Sequence, residues 1–144
     1  MATLLIRRAS AKWNGTGKEG SGWVGTQTKA IEVEYNWTNR FGDGTTGTNP
    51  EEMLAAAHAS CFSMKLAFVL DSMGMTADEI NTNVKLTVDK APGDWTITKS
   101  EITVSAKVPN GDAAKLQEAA ENAKANCPIS RAIKAEMTVT ATLA

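Results

Sequence analysis

The chain has 144 residues, with 15 basic and 16 acidic side chains, two cysteines and a single histidine, a size that fits one domain with its own core and needs no disulfide staples. Charge is nearly balanced and the basic residues are scattered, which excludes the strong positive field of a nucleic-acid binder. No run approaches about 18 uninterrupted apolar residues, and the apolar segment at the N-terminus is too short for a signal h-region, so no membrane partner and a cytoplasmic location are expected.

From Thr3 to Trp13, TLLIRRASAKW reads as a strand of mixed apolar and polar residues. Gly15, Gly17, Gly20 and Gly22 mark a turn, and WVGTQT and IEVEYNW supply two more short strands, the second with period-two alternation. The opening third is therefore a glycine-punctuated β-meander. RFGDGTTGTNPEE, from Arg40, is a glycine- and threonine-rich loop; without the lysine and Ser/Thr of a P-loop, its Gly42, Gly44 and Gly47 are no phosphate cradle.

The loop ends in a helix start. Thr48 or Asn49 can cap, Pro50 suits the first helical position, and Glu51 and Glu52 favour the positive end of the helix dipole. The helix runs through LAAAHASCFSMKLAFVLDSM to Gly74 and is apolar on most sides, the pattern of a buried helix. INTNVKLTVDK and WTITKSEITVSAKV alternate as strands around a PGD turn. A second helix, DAAKLQEAAENAKAN, follows Asn110-Gly111 and stops before Cys127-Pro128. Pro128 opens a short helical segment, PISRAIKAE, with Cys127 at its N-cap, and MTVTATL is a last strand. The order βββ-α-ββ-α-α-β points to an α+β fold with largely antiparallel sheets, a long central helix and a second helix. Trp13, Trp23, Trp37 and Trp95 lie in or beside strands, as core or dimer-surface residues.

Cys61, in the middle of the long helix, has three readings: packing material, metal ligand or nucleophile. A structural zinc site wants about four Cys/His ligands, and Cys61, Cys127 and His58 are all the chain has, so no metal and no cofactor are expected. In a reducing compartment a link between the cysteines would be transient. At a helix N-cap, Cys127 faces unpaired N–H groups that lower a thiol pKa, so the two form a plausible attacking and resolving pair. Glu51 precedes Cys61 by ten positions, about 15 Å along a straight helix. It serves the cysteine only through a mediator that bends back, or from a second chain packed about a two-fold axis; otherwise it compensates the dipole. Arg40 is a solvated loop arginine or a fixed charge for a thiolate. His58, three residues before Cys61, is a half-buried helix histidine or the base of a Cys–His hydrolase.

Together, RFGDGTTGTNPEEMLAAAHASCFSM and, some sixty positions later, NCPISRAIKAE resemble the OsmC/Ohr family of thiol-dependent hydroperoxide peroxidases over essentially the whole chain, 1–144, as one domain. The arginine directly before the glycine loop, in TNRFGDG, looks like the osmotically inducible (OsmC) branch. The resemblance implies that Cys61 is the peroxidatic cysteine, Cys127 in its CP-x-S motif the resolving one, Arg40 the active-site arginine and Glu51 the glutamate that holds it. It also implies an OsmC-like fold in an intertwined homodimer with active sites at the interface, an organic hydroperoxide as substrate, an external dithiol as reductant and a role in stress defence. Met53, Phe62, Met64 and Phe68 would offer a lining for a hydrocarbon body. A dithiol peroxide sensor and a non-catalytic, stress-linked binding protein are the alternatives.

Overall fold

The computed structural model describes residues 4–42, 47–90 and 93–144. Thr3 of the first expected strand, positions 43–46 of the glycine loop, Gly44 among them, and Pro92 of the expected PGD turn lie outside the described residues. The backbone divides into two compact units, Met1–Met53 and Leu54–Ala144.

The N-terminal unit is built on an antiparallel sheet of β1 (Ala9–Asn14), β2 (Ser21–Thr26) and β3 (Glu32–Asn36), in the order β1-β2-β3. The first strand is shorter than the apolar pattern suggests. Ala9 already pairs with Thr26, the last residue of β2, and beyond it the chain turns through Lys29 in the left-handed region at φ 63°, so among the described residues strand pairing in β1 begins at Ala9. Gly22 is not part of the turn but sits within β2, opposite Trp13 on one side and Tyr35 on the other. The two rings meet at 5.3 Å between centroids, and a side chain on Gly22 would strike both of them.

A one-turn helix, α1 (Trp37–Phe41), follows directly. Asn36 and Asn39 cap it reciprocally, each side chain accepting from the other's backbone N–H at 3.0 and 3.1 Å. Arg40 therefore stands in a helix rather than in a loop, a correction that hydrophobic periodicity over five residues has no means of signalling. The long helix α2 (Pro50–Ser72) starts as expected, and Asn49 is the cap: its Oδ1 accepts from the Glu52 N–H at 2.7 Å. Gly74 at φ 76° ends the segment in the left-handed region that favours glycine.

In the C-terminal unit, β4 (Glu79–Asp89), β5 (Thr96–Lys107) and β6 (Glu136–Leu143) form a second sheet in the order β4-β5-β6. The β4–β5 pair is antiparallel, but β6 lies parallel to β5. Helices α3 (Ala113–Asn126) and α4 (Pro128–Ala132) fill the connection and return the chain to the starting end of β5, and such a helical crossover makes strands parallel where a hairpin makes them antiparallel. Ser100, Ile102, Val104 and Ala106 alternate onto one buried face of β5. Phe62, Leu66 and Leu70 of α2 and Leu116, Ala119 and Ala123 of α3 are buried in the same unit and, with the apolar residues of that face, make its core.

Helix α2 is only half of what its composition suggests. Phe62, Leu66, Val69 and Leu70 are buried on one face, whereas Met64 and Phe68 are 66 % and 64 % exposed. By length and composition alone it is apolar enough to cross a bilayer; here one stripe packs into a core and the other faces out. The tryptophans are likewise surface rather than core residues, between 37 % and 45 % exposed.

Candidate active site

Each unit brings one pair of the expected site residues together. In the N-terminal unit the Arg40 guanidinium donates side-on to Glu51: Nη2 to Oε1 at 2.6 Å, and Nε to Oε1 and Oε2 at 3.0 and 3.2 Å. Arg40 comes from α1 and Glu51 from the first turn of α2. The short helix and the Asn49 side chain, whose Nδ2 donates to the Asn39 carbonyl at 3.1 Å, hold the two in register. A two-point grip of this kind fixes the plane of a guanidinium, which one point charge would leave free to rotate.

Arg40 borders a cleft of about 230 Å³ walled by Trp13, Tyr35, Trp37 and Phe41. The Phe41 ring lies 5.1 Å beneath its guanidinium carbon and 4.4 Å from the Trp37 ring. Four aromatic walls and one cation suit a ligand with an apolar body and an electronegative end. Sequence reading places the tryptophans on strands and misses this cleft, because its four walls come from three elements, β1, β3 and α1, and meet only after the sheet has formed.

In the C-terminal unit the two cysteines, 66 positions apart in the chain, have their sulfurs 2.8 Å from each other, both free thiols in hydrogen-bond contact. Cys61 projects from the middle of α2 at the border between its buried and exposed faces. Met64 and Phe68, three and seven residues on, share its flank. Of the side chains expected to offer an apolar lining, Met64 and Phe68 are exposed, while Phe62 is buried in the core at 0 % exposure.

Cys127 is the N-cap of α4, followed by Pro128 at the first helical position, and is fully buried. Burial pushes its thiol pKa up, but the Cys61 thiol, the Ser130 N–H and hydroxyl and the Ile129 N–H pull it down further, for a net lowering. Its side chain makes no short capping hydrogen bond, so the N-cap acts through the field of the N–H groups rather than through one directed bond. For Cys61 the balance is reversed. Burial and the hydrogen bond and charge of Cys127 raise its pKa against a smaller opposing pull from the Ile129 N–H and Lys65. Within this unit the surroundings hold the Cys127 thiol pKa down and the Cys61 thiol pKa up.

His58 differs from the half-buried helix residue expected. It is wholly buried, with Nδ1 3.0 Å from the Ser100 hydroxyl and Nε2 2.7 Å from the Ser130 hydroxyl. Desolvation lowers its pKa, so the ring is neutral at pH 7. No hydrogen bond joins it to Cys61; it reaches the thiol pair through Ser130. Ser130 belongs to the CP-x-S motif itself, so the sequence carried that signal, whereas Ser100 in β5 carried none.

The OsmC-like protein family model matches residues 42–142, which include both cysteines. Peroxiredoxin OsmC of Escherichia coli (strain K12) is 38% identical over 136 residues, 94% of each chain. An organic hydroperoxide resistance protein of Xanthomonas axonopodis pv. citri is 31% identical over 119 residues, 81% of each chain. Among solved structures, an organic hydroperoxide resistance protein from Elizabethkingia anophelis superposes with a TM-score of 0.76 at 23% identity, covering 100% of both chains, a likeness of fold. With two motifs in order, a matching family model and near full-length similarity, the chain belongs to the OsmC-like family.

Proposed function

We propose that this protein is a thiol-dependent peroxidase that reduces organic hydroperoxides to alcohols. The observation that carries the reading is the meeting of two free cysteines from distant parts of the chain, sulfurs 2.8 Å apart. The names of its relatives, a peroxiredoxin and an organic hydroperoxide resistance protein, support the same chemistry.

Cys61, as thiolate, attacks the terminal oxygen of the hydroperoxide. The O–O bond breaks, the alkoxide takes a proton and leaves as alcohol, and Cys61 keeps the other oxygen as a sulfenic acid. Cys127 then attacks that sulfur, the S–O bond breaks, water leaves and a Cys61–Cys127 disulfide forms. An external dithiol reduces it by exchange. Burial and Cys127 raise the Cys61 pKa, and an added positive charge would favour its thiolate in the first step. We assign that role to Arg40, fixed by Glu51, which also stabilises the departing oxygen. We place this chemistry in a homodimer in the cytoplasm, where reducing conditions keep both thiols available.

Mass spectrometry of the protein before and after one equivalent of cumene hydroperoxide tests the reading. A loss of two thiols with an intramolecular Cys61–Cys127 link, reversed by dithiothreitol with continued peroxide consumption, is expected. Thiols that survive the peroxide would overturn it. Stoichiometric oxidation without turnover would assign the dithiol to sensing instead.

A further inference from the structure

His58 is the single histidine of the chain, and the mechanism above makes no use of it. It occupies the centre of a buried polar chain that crosses three elements: Ser100 on β5, His58 on α2 and Ser130 on α4, at 3.0 and 2.7 Å. Ser130 sits three residues after Cys127, at the third position of the helix that Cys127 caps, and its hydroxyl is one of the groups that lower the Cys127 thiol pKa. All three of its members are buried, at 6 % exposure or less. Ser100 takes a place on the β5 face otherwise filled by Ile102, Val104 and Ala106, so a hydroxyl stands where packing alone would favour a hydrocarbon.

A neutral imidazole donates from one nitrogen and accepts at the other. If Ser130 gave its proton to Nε2, its oxygen would turn lone pairs toward Cys127 and disfavour a thiolate. If instead Nε2–H donates to Ser130 and Ser100 donates to Nδ1, every O–H and N–H points one way, from the sheet toward Cys127. We propose that His58 is a positioning residue for the resolving step: its Nε2–H holds the Ser130 hydroxyl proton on the Cys127 sulfur, so that Cys127 meets the Cys61 sulfenic acid as a hydrogen-bonded thiolate. The step itself is unchanged; His58 exchanges no proton and sets only the direction of its neighbour's. The inference rests on the peroxidase reading for its purpose and on the hydrogen-bond chain for its content. Facing Cys127 are Cys61 directly and His58 through Ser130, both on α2; Lys65, also on α2, acts on Cys61.

One histidine and, after Cys61→Ser, one remaining cysteine make both groups spectroscopically unambiguous. ¹⁵N NMR of histidine-labelled protein at neutral pH is expected to show Nε2 protonated and Nδ1 bare; a ring protonated on Nδ1 would overturn the proposal. In the Cys61→Ser background, ultraviolet titration of the Cys127 thiolate is expected to move up by about one pH unit, a tenfold loss of thiolate, in Ser130→Ala, and roughly threefold in His58→Leu, while His58→Gln, which keeps a donor at the Nε2 position, stays within about twofold. Ser130→Thr, which keeps the hydroxyl, restores the midpoint. An unmoved midpoint in Ser130→Ala sinks the proposal whatever the stability of the His58 variants. The thiolate titration needs no peroxide, so it separates failure of this inference from failure of the peroxidase reading, which the cumene hydroperoxide experiment decides.

Discussion

The two units of the chain bury very different things. Leu54–Ala144 holds every member of the hydrophobic cluster among the described residues, and its thiol pair stands on elements that this core packs. In Met1–Met53 the buried residues among those described are Gly22, Gly25 and Asn39, while Leu4, Leu5, Ile6, Trp13, Trp23, Ile31 and Trp37 are all at least 37 % exposed. A sheet with that much uncovered apolar surface is marginal by itself. The lesson is a division of labour: the thiol pair sits on a well-packed core, and the guanidinium that we assign to activate Cys61 sits on a short helix after a sheet with much uncovered apolar surface. The proposed homodimer would supply a covering surface.

The largest expected effect breaks the chemistry and spares the scaffold. Cys61→Ser should bring dithiol-dependent peroxide turnover to the uncatalysed background with an unaltered unfolding midpoint. Cys127→Ser should still consume one equivalent of peroxide and then stop. Next comes the core. Phe62→Ala and Leu116→Ala should each cost about 2–5 kcal/mol in urea unfolding. Leu5→Ala, at a position 74 % exposed, should stay within about 0.5 kcal/mol in a dilute monomer. A concentration-dependent cost for Leu5→Ala would place that residue in an interface between copies.

Glu51→Gln sharpens the comparison from the other side. The Arg40–Glu51 pair is partly exposed, with side chains at 39 % and 20 %, and such pairs contribute about 1 kcal/mol or less to stability. Losing the carboxylate should therefore barely move the unfolding curve. Steady-state kcat/KM for an aromatic hydroperoxide should fall about tenfold as the guanidinium loses its orientation.

The smallest effect is a pH dependence in the C-terminal unit. Burial holds the His58 pKa below its usual 6.5, so between the two values the unfolded chain binds more protons than the folded one, and stability rises with pH in that window. The contribution of His58 is complete above about 6.5 and is lost as pH falls toward the folded value. Unfolding midpoints measured from pH 7 to pH 5 should decline, and His58→Gln should flatten that slope.

Much of this was legible in residue order. The caps Asn49 and Asp112, Pro50 and Pro128 at first helical positions, and Gly74 at a helix end act over three or four residues; the helices they open start as expected, though the one opened by Pro128 stops at Ala132, short of the expected PISRAIKAE, whose Glu136 begins β6. The strands announced themselves by alternation, and Cys127 stood at its N-cap because Pro128 follows it. The same local reasoning failed at α1, which is one turn long, and at Gly22, where two rings closing over a strand look in sequence like one more turn glycine.

Local residue order determined which segments are helix and strand and which side chains carry chemistry, since capping, turn and periodicity energies act between near neighbours. Tertiary structure alone decided that β6 runs parallel to β5, that α2 buries one face and shows the other, that Cys61 and Cys127 meet, and that a buried histidine joins serines 42 and 72 positions after it in the chain. Those outcomes depend on which surfaces pack together, and no short-range preference encodes a distance between atoms that far apart along the chain.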